Sequence, residues 1–70
     1  MPEIQAPITG NVWKILVEVG SAFVEFDSVA ILESMKLEIP VEAEASGTIV
    51  EILVAEGDSV VEGAVMFVFE

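Results

Sequence analysis

The chain repeats itself at an offset of 37 residues, and this repeat constrains its fold more than any other feature. Residues 1–33 align with residues 38–70 without a gap, and nine of the 33 aligned pairs are identical. The identical pairs are Ala6/Ala43, Gly10/Gly47, Ile15/Ile52, Leu16/Leu53, Val17/Val54, Gly20/Gly57, Val24/Val61, Glu25/Glu62 and Glu33/Glu70. We interpret the pattern as the duplication of a half-domain.

Each copy has the composition of short strands joined by tight turns. Runs rich in Val, Ile and Phe are interrupted by Gly or Pro about every ten residues, which is typical of strands and turns. The clearest predicted strands are residues 11–17, 29–32, 37–41, 47–54 and 65–69. About four strands cannot bury their own apolar face, so the two copies must share one core. The sequence predicts one all-β domain over residues 1–70, with eight short strands in a sandwich and an approximate twofold axis.

The composition excludes several classes of function. The chain has 13 acidic residues and two lysines, with no arginine, histidine or cysteine, and its formal net charge is −11. It therefore lacks thiolate and imidazole metal ligands and any cysteine or serine–histidine nucleophile. The negative charge disfavours nucleic acid and anionic membranes as partners. We expect a soluble, cytoplasmic protein that consists of one acidic domain.

The junction between the two copies contains one of the two lysines. Residues 34–37 belong to neither copy, and an apolar run precedes and follows them, which predicts a hairpin that links the halves. Two-residue hairpin turns need positive φ, so Met35 and Lys36 at the tip would cost about 1–3 kcal/mol. A local rule broken at one place is typical of a functional site. The alternative is an ordinary surface lysine between acidic residues, with Met35 and Leu37 turned into the core.

The junction also resembles a known motif. The segment Glu33-Ser34-Met35-Lys36-Leu37 is similar to the E-[AST]-M-K-[ML] attachment motif of the biotinyl/lipoyl carrier family. The segment from Ala6 to Val12 resembles the A-P-x-x-G-x-[IV] opening of that family, and the turns at Gly20 and Gly57 resemble its repeated V-x-x-G-[DS] turns. The resemblance covers essentially all 70 residues.

The resemblance implies a fold and a role for the lysine. The fold of the family is a flattened β-barrel of two four-stranded antiparallel sheets with quasi-twofold symmetry. Lys36 would carry the cofactor as an amide, flanked by Glu33, Ser34, Met35, Leu37 and Glu38. Because the neighbouring side chains do not activate the lysine, a biotin protein ligase or a lipoyl ligase would supply the activated acyl group. The swinging biotin arm would then shuttle carboxyl groups between biotin carboxylase and carboxyltransferase subunits. The resemblance thus implies a monomer that is not itself an enzyme but a non-catalytic carrier component of a biotin-dependent carboxylase or decarboxylase.

The residues beside Lys36 bear on which cofactor it would carry. Met35 directly before Lys36 resembles biotin carriers, whereas lipoyl domains more often have Asp-Lys-Ala, so biotin is favoured. Two alternatives stay open: a lipoyl carrier for acyl or aminomethyl groups, and an unmodified interaction module of the same fold. Two positions depart from the family pattern. Leu37 replaces the commoner second Met, and Phe26 stands where the family usually has Gly.

Other candidate groups have simpler interpretations. The five aromatic residues are expected to lie in the core rather than to form a binding platform. They are Trp13, Phe23, Phe26, Phe67 and Phe69. Two carboxylate pairs, Glu42/Glu44 and Glu56/Asp58, could bind a hard cation, but neither forms a complete calcium loop and a solvated acidic face is favoured.

Overall fold

Eight short strands form in the part of the chain that the structure, a computed structural model, describes: residues 2–70. They are β1 Glu3–Gln5, β2 Gly10–Ile15, β3 Ala22–Phe23, β4 Ser28–Ser34, β5 Leu37–Glu42, β6 Gly47–Ile52, β7 Ser59–Val60 and β8 Val65–Phe69. Met1, the first residue of the predicted first half, lies outside the described residues. The two longest runs predicted as strands, 11–17 and 47–54, end earlier than expected, at Ile15 and Ile52.

The strands form two four-stranded antiparallel sheets, which confirms the predicted fold class. One sheet has the order β1-β8-β6-β3 and the other has the order β5-β4-β2-β7. Along β4, Leu32 is buried between the exposed Glu33 and the half-buried Ile31, as expected for a strand with one face on a core. The two sheets enclose a single apolar cluster that draws on all eight strands.

The two predicted halves interleave rather than form one sheet each. The first sheet takes β1 and β3 from the first half and β6 and β8 from the second, while the other sheet takes β2 and β4 together with β5 and β7. A sequence repeat shows which strands correspond to each other, but it does not show which strands are neighbours. Neither half therefore has a complete sheet of its own.

The backbone hydrogen bonds recur at the offset of 37. The Gly20 amide donates to the Ile49 carbonyl over 2.7 Å, and the Gly57 amide donates to the Val12 carbonyl over the same distance. The two glycines have φ values of 95° and 96°, in the left-handed region that glycine adopts without strain. Each of these turns therefore ties its own half to a strand of the other half.

Most of the core consists of aliphatic and aromatic residues at matched positions. Val12 and Ile49, one in each half, are both 1% exposed, and Ile15 and Ile52 are both half-buried and packed against the core. The buried hydrophobic residues are Ile4, Ala6, Val12, Phe23, Val29, Ala30, Leu32, Val41, Ala43, Ile49, Val60, Met66, Phe67 and Phe69.

The expectation of five core aromatics is wrong for two of them. Trp13 is 44% exposed and Phe26 is 72% exposed. Trp13 lies at a register shift between Val12 and Lys14 in the pairing of β2 with β4, and such a bulge interrupts the inward–outward alternation. Phe26 lies in a turn after β3, and its φ of 75° is in the left-handed region. The turn itself does not differ from that of the second half, since Gly63 has a φ of 87°.

Candidate functional site

The junction residues form a two-residue hairpin between β4 and β5. Ser34 and Leu37 are the last paired residues of the two strands, so Met35 and Lys36 make up the whole loop. Their φ values are 53° and 68°. Positive φ at both central residues is the signature of a type I′ turn, the geometry that matches the twist of a hairpin.

This turn is assembled from residues that do not favour it. Type I′ turns are usually made by Asn-Gly, and other residues in the left-handed region cost about 1–2 kcal/mol each. Burial does not offset this cost, because Met35 is 92% exposed and Leu37 is 65% exposed. The alternative interpretation, in which both side chains turn into the core, is therefore wrong. The tip presents two apolar side chains to solvent on either side of a lysine.

The Lys36 side chain is exposed at this tip. None of the side-chain hydrogen bonds found within residues 2–70 involves it. The other lysine, Lys14, lies within β2, and its Nζ is 5.7 Å from the centre of the Trp13 ring, within range of a cation–π interaction. The two lysines thus differ in setting: one is held against an aromatic face in a strand, and the other projects from a turn.

The outer face of the hairpin carries a pair of like charges. Glu33 and Glu38 are directly opposite each other in the β4–β5 pairing, one step below Ser34 and Leu37, and both are exposed. Like charges directly opposite each other are destabilising in a sheet. The hairpin therefore combines a strained tip with an unfavourable charge pair, and it presents one amine next to two carboxylates.

The hairpin base is supported by a close approach of β2. A Cβ atom placed on Gly10 would lie 2.7 Å from the Glu33 carbonyl oxygen and 3.4 Å from the Ser34 Cβ. The first residue of β2 must therefore be a glycine for β4 to reach its end. The A-P-x-x-G-x-[IV] segment contains this glycine, but the close approach to β4 is visible only in the structure. Gly10 and Gly47 occupy the same place in the two halves, since each is the first residue of its strand.

Replacing Gly10 by alanine is expected to destabilise the domain by about 1–3 kcal/mol, because the added methyl group would overlap the backbone of β4. Denaturant unfolding monitored by circular dichroism measures this loss. Gly47→Ala is the matched variant, since its Cβ would lie 2.7 Å from the Glu70 carbonyl oxygen. If both variants unfold at the same denaturant concentration as the parent chain, the close approach does not constrain the fold.

Of the two carboxylate pairs, Glu42 and Glu44 are exposed, whereas Glu56 and Asp58 have structural roles. A Glu56 carboxylate oxygen accepts a hydrogen bond of 3.0 Å from the Ile15 amide, and an Asp58 carboxylate oxygen accepts one of 2.9 Å from the Ala55 amide. Across residues 2–70, no group of three or more acidic side chains is arranged to hold a metal ion. The same residues include no helix long and apolar enough to cross a membrane.

Comparison with known protein families gives a match along nearly the whole chain. The profile of the Biotin_lipoyl family, described as "Biotin-requiring enzyme", matches residues 1–69. The chain is 44% identical over 63 residues to the biotin/lipoyl attachment protein of Bacillus subtilis (strain 168). That alignment covers 90% of this chain and 86% of the relative.

Two solved structures have the same fold. The crystal structure of the urea carboxylase of Kluyveromyces lactis superposes with a TM-score of 0.91 and 35% identity, and the match covers 99% of this chain. It covers only 6% of the urea carboxylase, so this chain corresponds to a small part of that protein. The lipoyl domain of the 2-oxoglutarate dehydrogenase complex from Azotobacter vinelandii superposes with a TM-score of 0.80 and 29% identity. That match covers 100% of this chain and 96% of the lipoyl domain.

Proposed function

The chain belongs to the biotin/lipoyl attachment family, and on this basis we propose that it is a biotin carboxyl carrier whose Lys36 holds the cofactor as an amide. The observation that carries the proposal is the exposed amine at the tip of a type I′ turn made of Met35 and Lys36. An unmodified interaction module of the same fold would gain nothing from this strained tip, since Asn-Gly would form the same turn at lower cost.

The attachment reaction needs a second protein. The Lys36 Nζ, once it has lost a proton, attacks the acyl carbon of an activated acyl-adenylate, and the adenylate leaves as AMP. Lysine is then an uncharged amide, and the formal net charge of the chain changes from −11 to −12. Among residues 2–70 no side chain forms a hydrogen bond with Lys36, so both the activated acyl group and the base come from a ligase. The exposed Met35 and Leu37 side chains give that ligase an apolar contact on either side of the amine.

The choice of biotin rests on Met35, which precedes the lysine as in biotin carriers, and on the similarity to the domain found within a urea carboxylase. A lipoyl carrier for acyl or aminomethyl groups is the second candidate. The specific observation that favours it is the similarity to a free lipoyl domain over the full length of this chain. The two candidates share the same attachment residue and differ only in the acyl group.

The carrier contributes position rather than catalysis. Attached biotin would accept a carboxyl group at a biotin carboxylase site and release it at a carboxyltransferase site. A tethered cofactor reaches both sites at an effective concentration far above its free concentration. The chemistry belongs to the cofactor and to those subunits, while the domain presents the cofactor on a fixed turn.

Co-expression of the chain with a biotin ligase, and separately with a lipoyl ligase, tests the choice of cofactor. Intact-mass spectrometry should show addition of a single biotinyl group in the first case, at higher occupancy than any lipoyl addition in the second. Preferential lipoylation would replace the biotin proposal with the lipoyl one. If the chain stays unmodified in both cases, the carrier proposal is wrong and the interaction module becomes the better interpretation.

Leu37→Met is expected to leave attachment nearly unchanged, because one flexible apolar side chain replaces another of similar volume at an exposed position. Its effect should instead appear in cofactor-dependent turnover with the partner enzymes, which contact the tip after loading. Ligase rates and turnover per loaded carrier are measured separately. A tenfold fall in the ligase rate with constant turnover would contradict this division of roles.

A further inference from the structure

A cleft of about 710 Å³ lies at the seam where the edges of the two sheets face each other. Its two long walls are the outermost strands β1 and β5 with the segments that follow them, residues 3–7 and 40–45. No Cα atom of β1 lies within 8 Å of a Cα atom of β5. Neighbouring hydrogen-bonded strands are about 4.8 Å apart, so β1 and β5 do not pair with each other. Each is an edge strand of its sheet, and the edge of each that faces away from its paired neighbour has no strand partner.

Phe26 is a largely exposed aromatic side chain at the cleft. Phe26 lines the cleft, is 72% exposed, and has a φ of 75°. A bulky residue in the left-handed region is an outlier, and its counterpart in the second half is Gly63, which makes the same kind of turn without strain. An aromatic ring held in a strained turn and left exposed at the mouth of a cleft is suited to contact a partner.

The negative charge of the cleft indicates which kind of partner would bind there. Four glutamates line it and no lysine does. They are Glu3, Glu25, Glu42 and Glu44. A second copy of this chain, with its net charge of −11, would be repelled from this surface. A segment that carries lysine or arginine together with apolar residues would be attracted by the carboxylates and would cover the Phe26 ring.

The cleft is separate from the attachment hairpin. β5 starts at Leu37, next to Lys36, and ends at Glu42 in the wall of the cleft. Pro40 is the first residue of β5 that lines the cleft, so at about 3.3 Å per residue the cleft begins roughly 13 Å from Lys36 along the strand. A partner bound in the cleft would hold the body of the domain and leave the hairpin free.

We propose that this cleft is a docking site for an extended, basic and apolar peptide segment of a partner protein, with Phe26 as its anchor. Backbone carbonyls of the edge strands and the four carboxylates accept hydrogen bonds from the lysine or arginine side chains. Pro40 has no N–H, so β5 cannot offer a full ladder of backbone bonds, and the side chains of the segment supply most of the affinity. The binding does not depend on whether Lys36 is loaded, so its outcome is separate from that of the carrier proposal.

A nine-residue peptide of alternating lysine and valine, acetylated and amidated at its ends, is the probe for this site. The uniformly ¹⁵N-labelled chain is titrated with it and followed by NMR. The amide shifts should change at residues 3–6, 25–26 and 41–45, and not at residues 34–37. Raising the salt from about 20 to about 500 mM should weaken binding roughly tenfold, because exposed charges are screened. A peptide with glutamate in place of lysine should not bind.

Three variants complete the test. Phe26→Gly reproduces the turn of Gly63, so it should fold, raise the unfolding midpoint and weaken peptide binding at least tenfold. Glu25→Gln should weaken binding, whereas Glu62→Gln, the same position in the second half and outside the cleft, should not. Undiminished binding by Phe26→Gly, shifts centred on the hairpin, equal binding of the glutamate peptide, or no binding at millimolar peptide would each overturn the proposal. Dimerisation of the chain that Phe26→Gly abolishes would also overturn it, in favour of a second copy as the occupant.

Discussion

Lys36→Ala is expected to abolish covalent loading of the chain, measured by intact mass and by streptavidin capture after co-expression with a biotin ligase. An amide linkage needs the side-chain amine, and alanine has none. The fold should be unaffected, because Lys36 is exposed and takes part in none of the side-chain hydrogen bonds found within residues 2–70. The expected change is from full to undetectable occupancy, the largest effect that any single substitution in this chain should have on the cofactor.

Lys14→Ala is the control for this experiment, since it removes the other lysine of the chain. Loading should survive, because Lys14 lies within β2 beside Trp13 and not at the tip of a turn that a ligase can bind. Capture that persists in Lys36→Ala and disappears in Lys14→Ala would show that the attachment residue is misassigned.

Phe67→Ala is expected to cost about 3–5 kcal/mol of unfolding free energy, the range for emptying a buried phenylalanine site. Phe67 is 0% exposed and is opposite Ile4 on one neighbouring strand and Ile52 on the other. A domain of 70 residues has a total stability of only about 4–10 kcal/mol, so this single change would remove about half of it. Thermal unfolding followed by circular dichroism measures the loss.

The first half of the chain supplies an internal reference for this variant. The position equivalent to Phe67 is Ala30, which is also 0% exposed, so the backbone at this site accepts an alanine. The loss in Phe67→Ala would therefore come from the cavity and not from backbone strain. Val61→Ala, at a position 65% exposed, should change the stability by less than about 0.5 kcal/mol. Equal stabilities of the two variants would contradict the view that Phe67 is central to the core.

Much of the fold could be predicted because the same sequence signals occur at matching positions of the two halves. Any one short apolar run is ambiguous, but Gly20 and Gly57 at the same offset mark a turn twice, and both glycines adopt φ values near 95°. The interleaving could not be predicted, because pairing between strands depends on contacts across the two halves. The alternation of apolar and polar residues determines which face of each strand points inward, but it does not determine which strands are adjacent in a sheet.

The hairpin was predictable for a different reason. Met35 and Lys36 break the usual composition of a two-residue turn, and both indeed have positive φ. The exposure of Trp13 and Phe26 was not predictable from hydrophobicity. A bulge in β2 displaces Trp13 from the inward face, and a left-handed turn points the chain away from the core at Phe26. In both cases the backbone geometry overrides the preference of an aromatic side chain for the interior.

The interleaved sheets make each half of the chain dependent on the other. A lone 33-residue half could complete neither sheet, because every sheet draws two strands from each half. Cutting the chain within residues 34–37 would turn the joining of the halves into a bimolecular step, which loses the effective concentration that a short covalent link provides. The turn that carries Lys36 is therefore also the covalent link between two halves that complete their sheets only together.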